Sequence, residues 1–343
     1  MRQIFKYVLF LSCSLQLAAI GYTQDLHFSQ FFNSPLTTNP ANTGFIPDGD
    51  YRLGINYRNQ WSSVMSVPYK TMSVFGDAQI LKDRLENGWV GVGGVILRDV
   101  AGSGNLTSTK IYGSVAYHQM LGYSSLLSLG FNVGYANKQI NTSNLKFPDQ
   151  FDGKFFDNKL PTNVFLDRNN VGYLDMQVGM NYAYFPTENI YVNGGFSAHH
   201  VNKAQESFFT SDSIANNIPV RYIGFLNGSF KLNDQVLINP NIYYTRQTTA
   251  SELVVGINAH YNLSGDGMYQ LVGGVYYRHK DAVAPLIGLV YDDYTFSFTY
   301  DVTISTLKNY NASRGALEFS LIKQGIINPN GKRITPCPTL RTY

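Results

Sequence analysis

The chain has 343 residues, with 26 Lys and Arg against 23 Asp and Glu, and a formal net charge of +3. This near-neutral balance excludes the strongly basic face that nucleic-acid binding requires, so no nucleic acid is expected as a partner. Charged residues make up only 14% of the chain, against about 25% in soluble proteins. Few charges together with 25 Tyr and 22 Phe favour a β-protein that faces lipid with alternate residues.

Residues 1–23 are predicted to be a secretory signal peptide. Arg2 and Lys6 form a basic start, and the apolar stretch 7–20 is interrupted by Ser and Gln, so it is too short to span a bilayer. Cleavage is expected near residue 24. Cys13 is the alternative, as a lipidation site, but the residues before it fit a lipoprotein signal poorly. Without the leader only Cys337 remains, which leaves neither a disulfide framework nor a cysteine metal site.

Residues 24–50 are rich in rings and turn-formers but show neither helical nor strand periodicity. The stretch 25–44 reads DLHFSQFFNSPLTTNPANTG. Two interpretations remain open. The segment either folds into the interior of the protein as a hatch, or lies as a strap across its periplasmic mouth.

Alternation with period two begins at residue 51 and recurs along the chain. In residues 125–136 Leu, Phe, Val and Tyr alternate with Ser, Gly and Asn, and residues 173–184 and 252–261 repeat the pattern. Ten alternating residues are long for a soluble strand, which averages about 5–6 residues, but suit a tilted membrane strand. No stretch after the leader reaches the roughly 18 apolar residues of a membrane helix.

Fourteen antiparallel strands are predicted over residues 51–323. They begin near Tyr51, Tyr69, Gly88, Leu106, Ser125, Gly172, Asn189, Val220, Gln235, Glu252, Tyr269, Pro285, Tyr294 and Gly315. Every second connection is a tight turn, including one over residues 185–188, and those between are mostly longer. Outer-membrane barrels have an even strand number, short periplasmic turns and longer outside loops, and only a closed barrel satisfies every strand edge in lipid.

The prediction is therefore an all-β transmembrane antiparallel β-barrel of about 14 strands. Both chain ends would be periplasmic, with residues 324–343 as a tail. Tyrosines near strand ends are expected to form interfacial girdles, and these are Tyr112, Tyr117, Tyr182, Tyr184, Tyr243, Tyr244, Tyr276 and Tyr277.

The N-terminal motifs resemble the start of the PorP/SprF family of type IX secretion outer-membrane proteins. The matching residues are Gln24-Asp25, His27-Phe28-Ser29-Gln30-Phe31, Ser34-Pro35-Leu36, Asn39-Pro40-Ala41, Thr43-Gly44, Arg52-x-Gly54-x-Asn56-Tyr57-Arg58-Asn59-Gln60-Trp61, Pro68-Tyr69-Lys70-Thr71 and Cys337-Pro338. These motifs cover about the first eighty residues and the tail, whereas the rest agrees in length and strand pattern.

The resemblance implies a non-enzymatic outer-membrane protein of a Gram-negative bacterium that works in type IX secretion and gliding motility. Its expected partners are a secreted surface protein (adhesin), periplasmic lipoproteins of the secretion machinery, and outer-membrane lipid. Asn39-Pro40-Ala41 is also similar to a motif of fatty-acid-transporter-type barrels. The alternative function is therefore an outer-membrane channel for small hydrophobic molecules.

Two long outside loops, residues 141–170 and 201–219, are the candidate partner-binding surface. Exposed rings either pack on one another or anchor a protein partner, and both possibilities stay open here. The residues concerned are Phe147, Phe151, Phe155, Phe156, Phe165, Phe208 and Phe209. The N-terminal segment and the tail are expected to meet periplasmic components.

Catalytic, metal and cofactor sites are not predicted. His199 and His200 are neighbours on a strand, so they would point to opposite faces and are expected at the outer interface. A barrel hydrolase using interior residues such as His118, His260, Asp175 or Glu252 is a remote alternative, because polar residues are what a barrel lumen ordinarily contains. Gly91-x-Gly93-Gly94 precedes more strand rather than a helix, which excludes a dinucleotide site and favours close approach of another segment.

Overall fold

The structure is a computed structural model that describes residues 28–327, except 48, 64, 66, 83, 103, 143–144, 146, 152, 158–159, 164–166 and 209–216. The predicted signal peptide, the tail from residue 328, His27, Phe165 and Phe209 lie outside the described residues.

Fourteen antiparallel strands close into one barrel in these residues, as predicted. Each strand pairs with its sequence neighbours, and β1 pairs with β14 from Tyr51 opposite Gly325 onward. The strands are β1 (Tyr51–Gln60), β2 (Tyr69–Ile80), β3 (Gly88–Ala101), β4 (Leu106–Met120), β5 (Ser125–Gln139), β6 (Asn170–Thr187), β7 (Ile190–His199), β8 (Arg221–Lys231), β9 (Val236–Gln247), β10 (Ala250–Asn262), β11 (Tyr269–Arg278), β12 (Ala282–Tyr291), β13 (Tyr294–Thr303) and β14 (Arg314–Gly325).

Short helical turns make up the remaining regular structure of the described residues. Three precede the barrel, at Phe31–Asn33, Pro35–Thr38 and Pro40–Asn42, and two lie in loops, at Pro148–Gln150 and Lys308–Asn311. No helix in this part of the chain is long and apolar enough to cross a membrane.

Prolines account for the main differences from the predicted strand boundaries. β12 begins at Ala282 rather than Pro285, and its pairing with β13 lacks the two positions at residues 284 and 285. Proline has no N–H to donate, so a barrel strand can contain it only where the ladder is interrupted. The predicted turn at residues 185–188 was also wrong, because β6 continues through Pro186 to Thr187 with a register shift.

The two faces of the strands have different chemistry. On β5, Leu129, Phe131, Val133 and Tyr135 are exposed on the outside, whereas the alternating Ser128 and Asn132 are buried inside. This pattern repeats around the barrel and presents an apolar outer wall to lipid.

The tyrosine girdle prediction was wrong for three of its eight members. Tyr112, Tyr243 and Tyr276 are buried, whereas Tyr117, Tyr182, Tyr184, Tyr244 and Tyr277 are exposed. The pairs 243–244 and 276–277 are adjacent on strands, and adjacent side chains point to opposite faces. Only one tyrosine of each pair can therefore face lipid.

Connection lengths distinguish the two ends of the barrel. The short-turn end holds residues 81–87, 121–124, 188–189, 232–235, 263–268 and 292–293, together with the start of β1 and the end of β14. The long-loop end holds the two longest connections, residues 140–169 and 200–220.

Candidate functional site

The barrel interior is occupied by residues 28–46, here called the lumen segment. All of its residues except Phe32 and Thr37 are buried, and its longest helical turn has four residues. Ser29 bonds to Glu318 and Asp301 in the half of the barrel nearer the long-loop end. At the other end, the carbonyl of Ile46 accepts from Gln79, near the short-turn end of β2. The segment thus runs through the lumen along the barrel axis.

Turn-forming residues give the lumen segment its compact path. Pro35 and Pro40 begin helical turns, where the missing N–H of proline costs nothing. The Asn39 side chain accepts from the N–H of Ala41 at 2.9 Å. Such short turns leave many backbone groups without local partners, so residues of the wall must satisfy them.

The first contact with the wall is a charged anchor made by Ser29, Gln30, Arg58, Arg278, Asp301 and Glu318. Glu318 accepts from the backbone N–H of Ser29 at 2.9 Å and of Gln30 at 2.7 Å. Arg58, whose side chain is 2% exposed, lies 2.8 Å from Asp301 and 2.9 Å from Glu318. Arg278 is also 2.8 Å from Asp301. Two buried carboxylates are thereby matched by two guanidinium groups, as buried charges require.

Aromatic stacking extends this contact toward β9 and β11. Phe31 stacks on Tyr243 with ring centroids 4.9 Å apart, and Phe32 stacks on Tyr276 at 5.2 Å. These pairs explain why a polar, turn-rich segment carries several rings. They also explain why Tyr243 and Tyr276 face inward, because each supplies an apolar face to a ring of the segment.

The second contact is a close-packed anchor between residues 39, 43 and 44 of the segment and Trp89, Gly91 and Gly179 of the wall. A Cβ atom at Gly91 would lie 1.9 Å from the Thr43 carbonyl oxygen, and one at Gly179 would lie 1.9 Å from Asn39 Oδ1. Only glycine allows this approach, as predicted for Gly91.

Hydrogen bonds complete the close-packed anchor. Asn39 Nδ2 donates to the carbonyls of Met180 and Phe196 at 2.8 and 3.3 Å. Trp89 Nε1 donates to the Gly44 carbonyl at 2.9 Å. The N–H of Gly44 donates to Asp77 at 2.8 Å.

The motif residues of β1 turn out to be partners of the lumen segment. Arg52 donates to the Asn42 carbonyl and pairs with Asp77 at 2.8 Å, and Asn56 donates to the Asn33 carbonyl at 3.1 Å. Arg52, Asn56 and Arg58 all stand at even-numbered positions of β1, so their side chains face inward. The two blocks of sequence motif are therefore the two sides of one interface.

The contacts of His118 do not include the carboxylate partner that a Ser-His-acid site requires. His118 lies 2.7 Å from Ser128, but its other ring nitrogen faces the Thr43 carbonyl at 2.8 Å rather than a carboxylate. Both side chains are buried beneath the lumen segment, so a substrate could not reach them. The described residues include no cluster of three or more His, Cys, Asp or Glu able to hold a metal ion.

The placement predicted for the histidine pair was wrong. His199 and His200 are both buried rather than at the outer interface. His200 has a positive φ of 59°, which ends β7 and lets both rings face inward, and its Nδ1 is 2.9 Å from Asp175.

Of the predicted loop residues, Phe151, Phe155 and Phe156 are exposed at the long-loop end, and Phe155 is 74% exposed. The rings of Phe151 and Phe156 are 5.0 Å apart. Nearby, Asp149 accepts from the N–H of Asn163 and the hydroxyl of Thr162, and these bonds lower the pKa of Asp149. The loop is thus tied to itself while three rings stay at its surface.

The remaining two described loop rings are less exposed. Phe147 is half-buried, and Phe208 packs against a buried cluster that contains Val171 and Tyr173. Glu206 holds the same loop to the barrel through Lys138 and the Tyr173 hydroxyl. Phe208 therefore anchors its loop to the wall.

The fold and the interior together define a transmembrane β-barrel whose lumen is occupied by its own N-terminal segment. The family described as type IX secretion system membrane protein PorP/SprF matches residues 20–322. This match covers most of the chain, which therefore belongs to the PorP/SprF family and is located in the outer membrane. None of the curated proteins matches the chain significantly.

Two solved structures with TM-scores above 0.5 support the fold alone. The toluene transporter TodX of P. putida has a TM-score of 0.51 at 13% identity, over 86% of this chain and 95% of that chain. A TodX deltaS2S3 mutant described as a monoaromatic hydrocarbon channel gives 0.51 at 11% identity, over 84% and 93%. A Pseudomonas aeruginosa FadL homologue gives 0.48 at 9% identity, over 85% and 94%.

Proposed function

We propose that this protein is a binding component of the type IX secretion system that holds a secreted surface protein at its long-loop end. In this proposal the long-loop end faces the cell exterior, and the short-turn end and the C-terminal tail are periplasmic. Binding supports either export of the secreted protein or its attachment to the cell surface. Membership in a secretion-system family supports a structural or transport role rather than a catalytic one.

The observation that carries the proposal is the occupied lumen. The lumen segment bonds to β14 and β13 on one side and to β6 and β7 on the other. The cavity beside Phe28 and Leu36 has a volume of about 20 Å³, which is room for about one water molecule. A barrel filled in this way acts most readily through its end surfaces.

The exposed rings at residues 151, 155 and 156 are the proposed partner contact. Aromatic side chains are favoured as buried anchors of protein interfaces, and a loop already tied by Asp149 loses less entropy when a partner binds. Periplasmic secretion components would meet the short-turn end and the tail. Residues 28–46 are buried and would contribute by filling the barrel rather than by direct contact.

Affinity capture from native outer membranes tests the loop contact. We expect the tagged wild-type barrel to recover one large secreted surface protein, and the combined variant Phe151→Ala, Phe155→Ala, Phe156→Ala to lose it. Tyr310→Ala is the matched control, because Tyr310 is an exposed ring in another connection at the same end. Equal recovery by the triple variant and the control would contradict the proposed contact, as would recovery of periplasmic lipoproteins alone.

The second candidate is a channel for small hydrophobic molecules. It is favoured by the fold shared with TodX, a toluene transporter, and by the apolar side chains of Phe28, Leu36 and Val95 around the cavity. This function requires the lumen segment to move aside, because the present cavity is far smaller than an aromatic hydrocarbon. Uptake of a labelled hydrophobic solute into vesicles containing the wild-type barrel would support the channel over the binding role.

A further inference from the structure

Charged residues on the described strands are sorted by sign between the two faces of the wall. All acidic strand residues face the lumen, namely Asp77, Asp99, Asp175, Glu252, Asp301 and Glu318. The charged residues that face outward within the strands are all basic: Lys70, Arg98, Arg246 and Lys323. Charges on a lipid-facing wall are costly except near its interfaces, so the outward cations are expected close to the two rims of the barrel.

Lys70 and Arg98 lie side by side near the long-loop ends of β2 and β3. Lys70 is opposite Val100 and Arg98 is opposite Met72, which makes the two cations diagonal neighbours on the same face. Diagonal neighbours are about 7–8 Å apart, so two long side chains can converge on one group. Both residues are exposed, and neither forms an ion pair with another described residue.

The other two outward cations are placed differently. Arg246 stands on β9, away from Lys70 and Arg98, and its Nε donates to the carbonyl of Thr248. Lys323 lies at the short-turn end over the ring of Tyr294, 5.0 Å from its centroid. Among the four outward-facing cations, only Lys70 and Arg98 therefore lie next to each other.

The surroundings of the pair match a lipid with a polar head and several acyl chains. Outward polar residues continue the row on the neighbouring strands, with Asn59 opposite Lys70 and Thr109 opposite Arg98. Toward the short-turn end, the next outward side chains are Met72, Ile96 and Ile111, all exposed. These four polar residues therefore lie nearer the long-loop end than Ile96 and Ile111, with Val100 and Met72 directly opposite the two cations.

We propose that Lys70 and Arg98 bind a phosphate group of an anionic glycolipid of the outer leaflet. The guanidinium fork and the ammonium each suit phosphate oxygens, Asn59 and Thr109 face the sugar hydroxyls, and the acyl chains lie along Met72, Ile96 and Ile111. The site rests on the proposed orientation with the long-loop end outside, but it does not depend on any protein partner.

Binding of purified lipid A by the detergent-solubilised barrel tests this site. Each cation near an anionic lipid surface contributes on the order of a fivefold gain in affinity, so the double variant Lys70→Gln, Arg98→Gln should bind about 30-fold more weakly. Native mass spectrometry across a lipid titration measures the change. Raising the salt concentration should weaken wild-type binding, because exposed charges are screened.

The control removes the same charge elsewhere on the outer wall. Arg246→Gln with Lys323→Gln should stay within about threefold of wild type. An equal loss in both double variants would overturn the site in favour of diffuse attraction. Undiminished binding of dephosphorylated lipid A would overturn phosphate recognition, and equally tight binding of phosphatidylglycerol would overturn the choice of glycolipid. A gel-mobility shift on heating checks that each variant barrel is folded.

Discussion

The two anchors of the lumen segment are held by different physics. At the charged anchor, two arginines and two carboxylates are buried within one network, and Glu318 bonds the backbone of Ser29 and Gln30. At the close-packed anchor, the absence of a Cβ at Gly91 and Gly179 matters more than charge, because it lets the lumen segment touch the barrel wall.

This difference predicts two ways for the lumen segment to be released. A charged network fails when one member is removed and a partner is left buried without compensation. A close-packed contact fails when atoms are added. Removing a charged side chain should therefore weaken the charged anchor, whereas adding a side chain should weaken the close-packed anchor.

The largest effect is expected for Arg58→Ala in the charged anchor. It leaves Asp301 and Glu318 buried with one guanidinium between them, which should lower the free energy of unfolding by about 4 kcal/mol. Urea titration in lipid vesicles, followed by the gel mobility of the folded barrel, measures this value. Arg246→Ala, an exposed cation on the outer wall, should change it by less than about 0.5 kcal/mol.

A partial rescue sharpens the electrostatic interpretation of Arg58. Adding Glu318→Gln to Arg58→Ala removes the buried carboxylate that has lost its guanidinium, since Asp301 keeps Arg278, so the double variant should be more stable than Arg58→Ala alone. A double variant that is less stable would show that packing rather than charge dominates this anchor.

Phe31→Ala tests the aromatic contact that adjoins the charged anchor. Loss of a buried phenyl ring stacked on Tyr243 should cost about 3 kcal/mol. Phe155→Ala removes the same ring from a site that is 74% exposed and should cost less than about 0.5 kcal/mol. Similar losses in the free energy of unfolding for the two variants, in the same urea titration, would show that Phe31 in the lumen stabilises the barrel no more than Phe155 in the loop.

Gly91→Val adds atoms to the close-packed anchor. The new side chain meets the Thr43 carbonyl, so the segment must shift, at a cost of about 2 kcal/mol. Gly273→Val is the matched control, because nothing lies within 4 Å of a Cβ at that strand position, and valine favours strands. Protease sensitivity near residues 39–46 should rise in Gly91→Val only. Equal sensitivity in both variants would contradict the close contact.

The smallest effect is expected for Asn39→Ala, which can be compared with a second substitution at the same residue. Asn39→Ala removes the amide that bonds the Met180 carbonyl and should cost about 1 kcal/mol. Asn39→Asp keeps the acceptor for the Ala41 N–H but turns a carboxylate oxygen toward two carbonyls, so it should be the less stable of the two. Thermal unfolding of both variants checks this order, and the reverse order would mean that the Ala41 bond matters more.

Alternation along the sequence was sufficient to predict the barrel. Strands β1 to β5 begin at the predicted residues because each starts a clear period-two pattern between turns. Closure of the barrel follows because every backbone N–H and C=O group in lipid must be hydrogen-bonded within the protein. The boundaries at Pro186 and Pro285 were missed because a register shift or interrupted ladder is decided by the neighbouring strand.

Partners across the lumen could not be predicted in the same way. Alternation assigns Arg58, Asp301 and Glu318 to the inner face, but it does not say which of them meet. The sequence nevertheless showed that these charged residues face inward, because they are the polar members of alternating membrane strands. The burial of His199 and His200 depends on the positive φ of His200, which no local pattern indicates.

The most direct test of the filled lumen is the conductance of the purified barrel in a planar bilayer. If residues 28–46 fill the lumen as described, the wild-type barrel should show little conductance, and deletion of residues 25–44 should give a large, steady conductance in a barrel that still assembles. A wild-type barrel that conducts as well as the deletion variant would contradict a filled lumen, because the lumen segment would then not close the barrel.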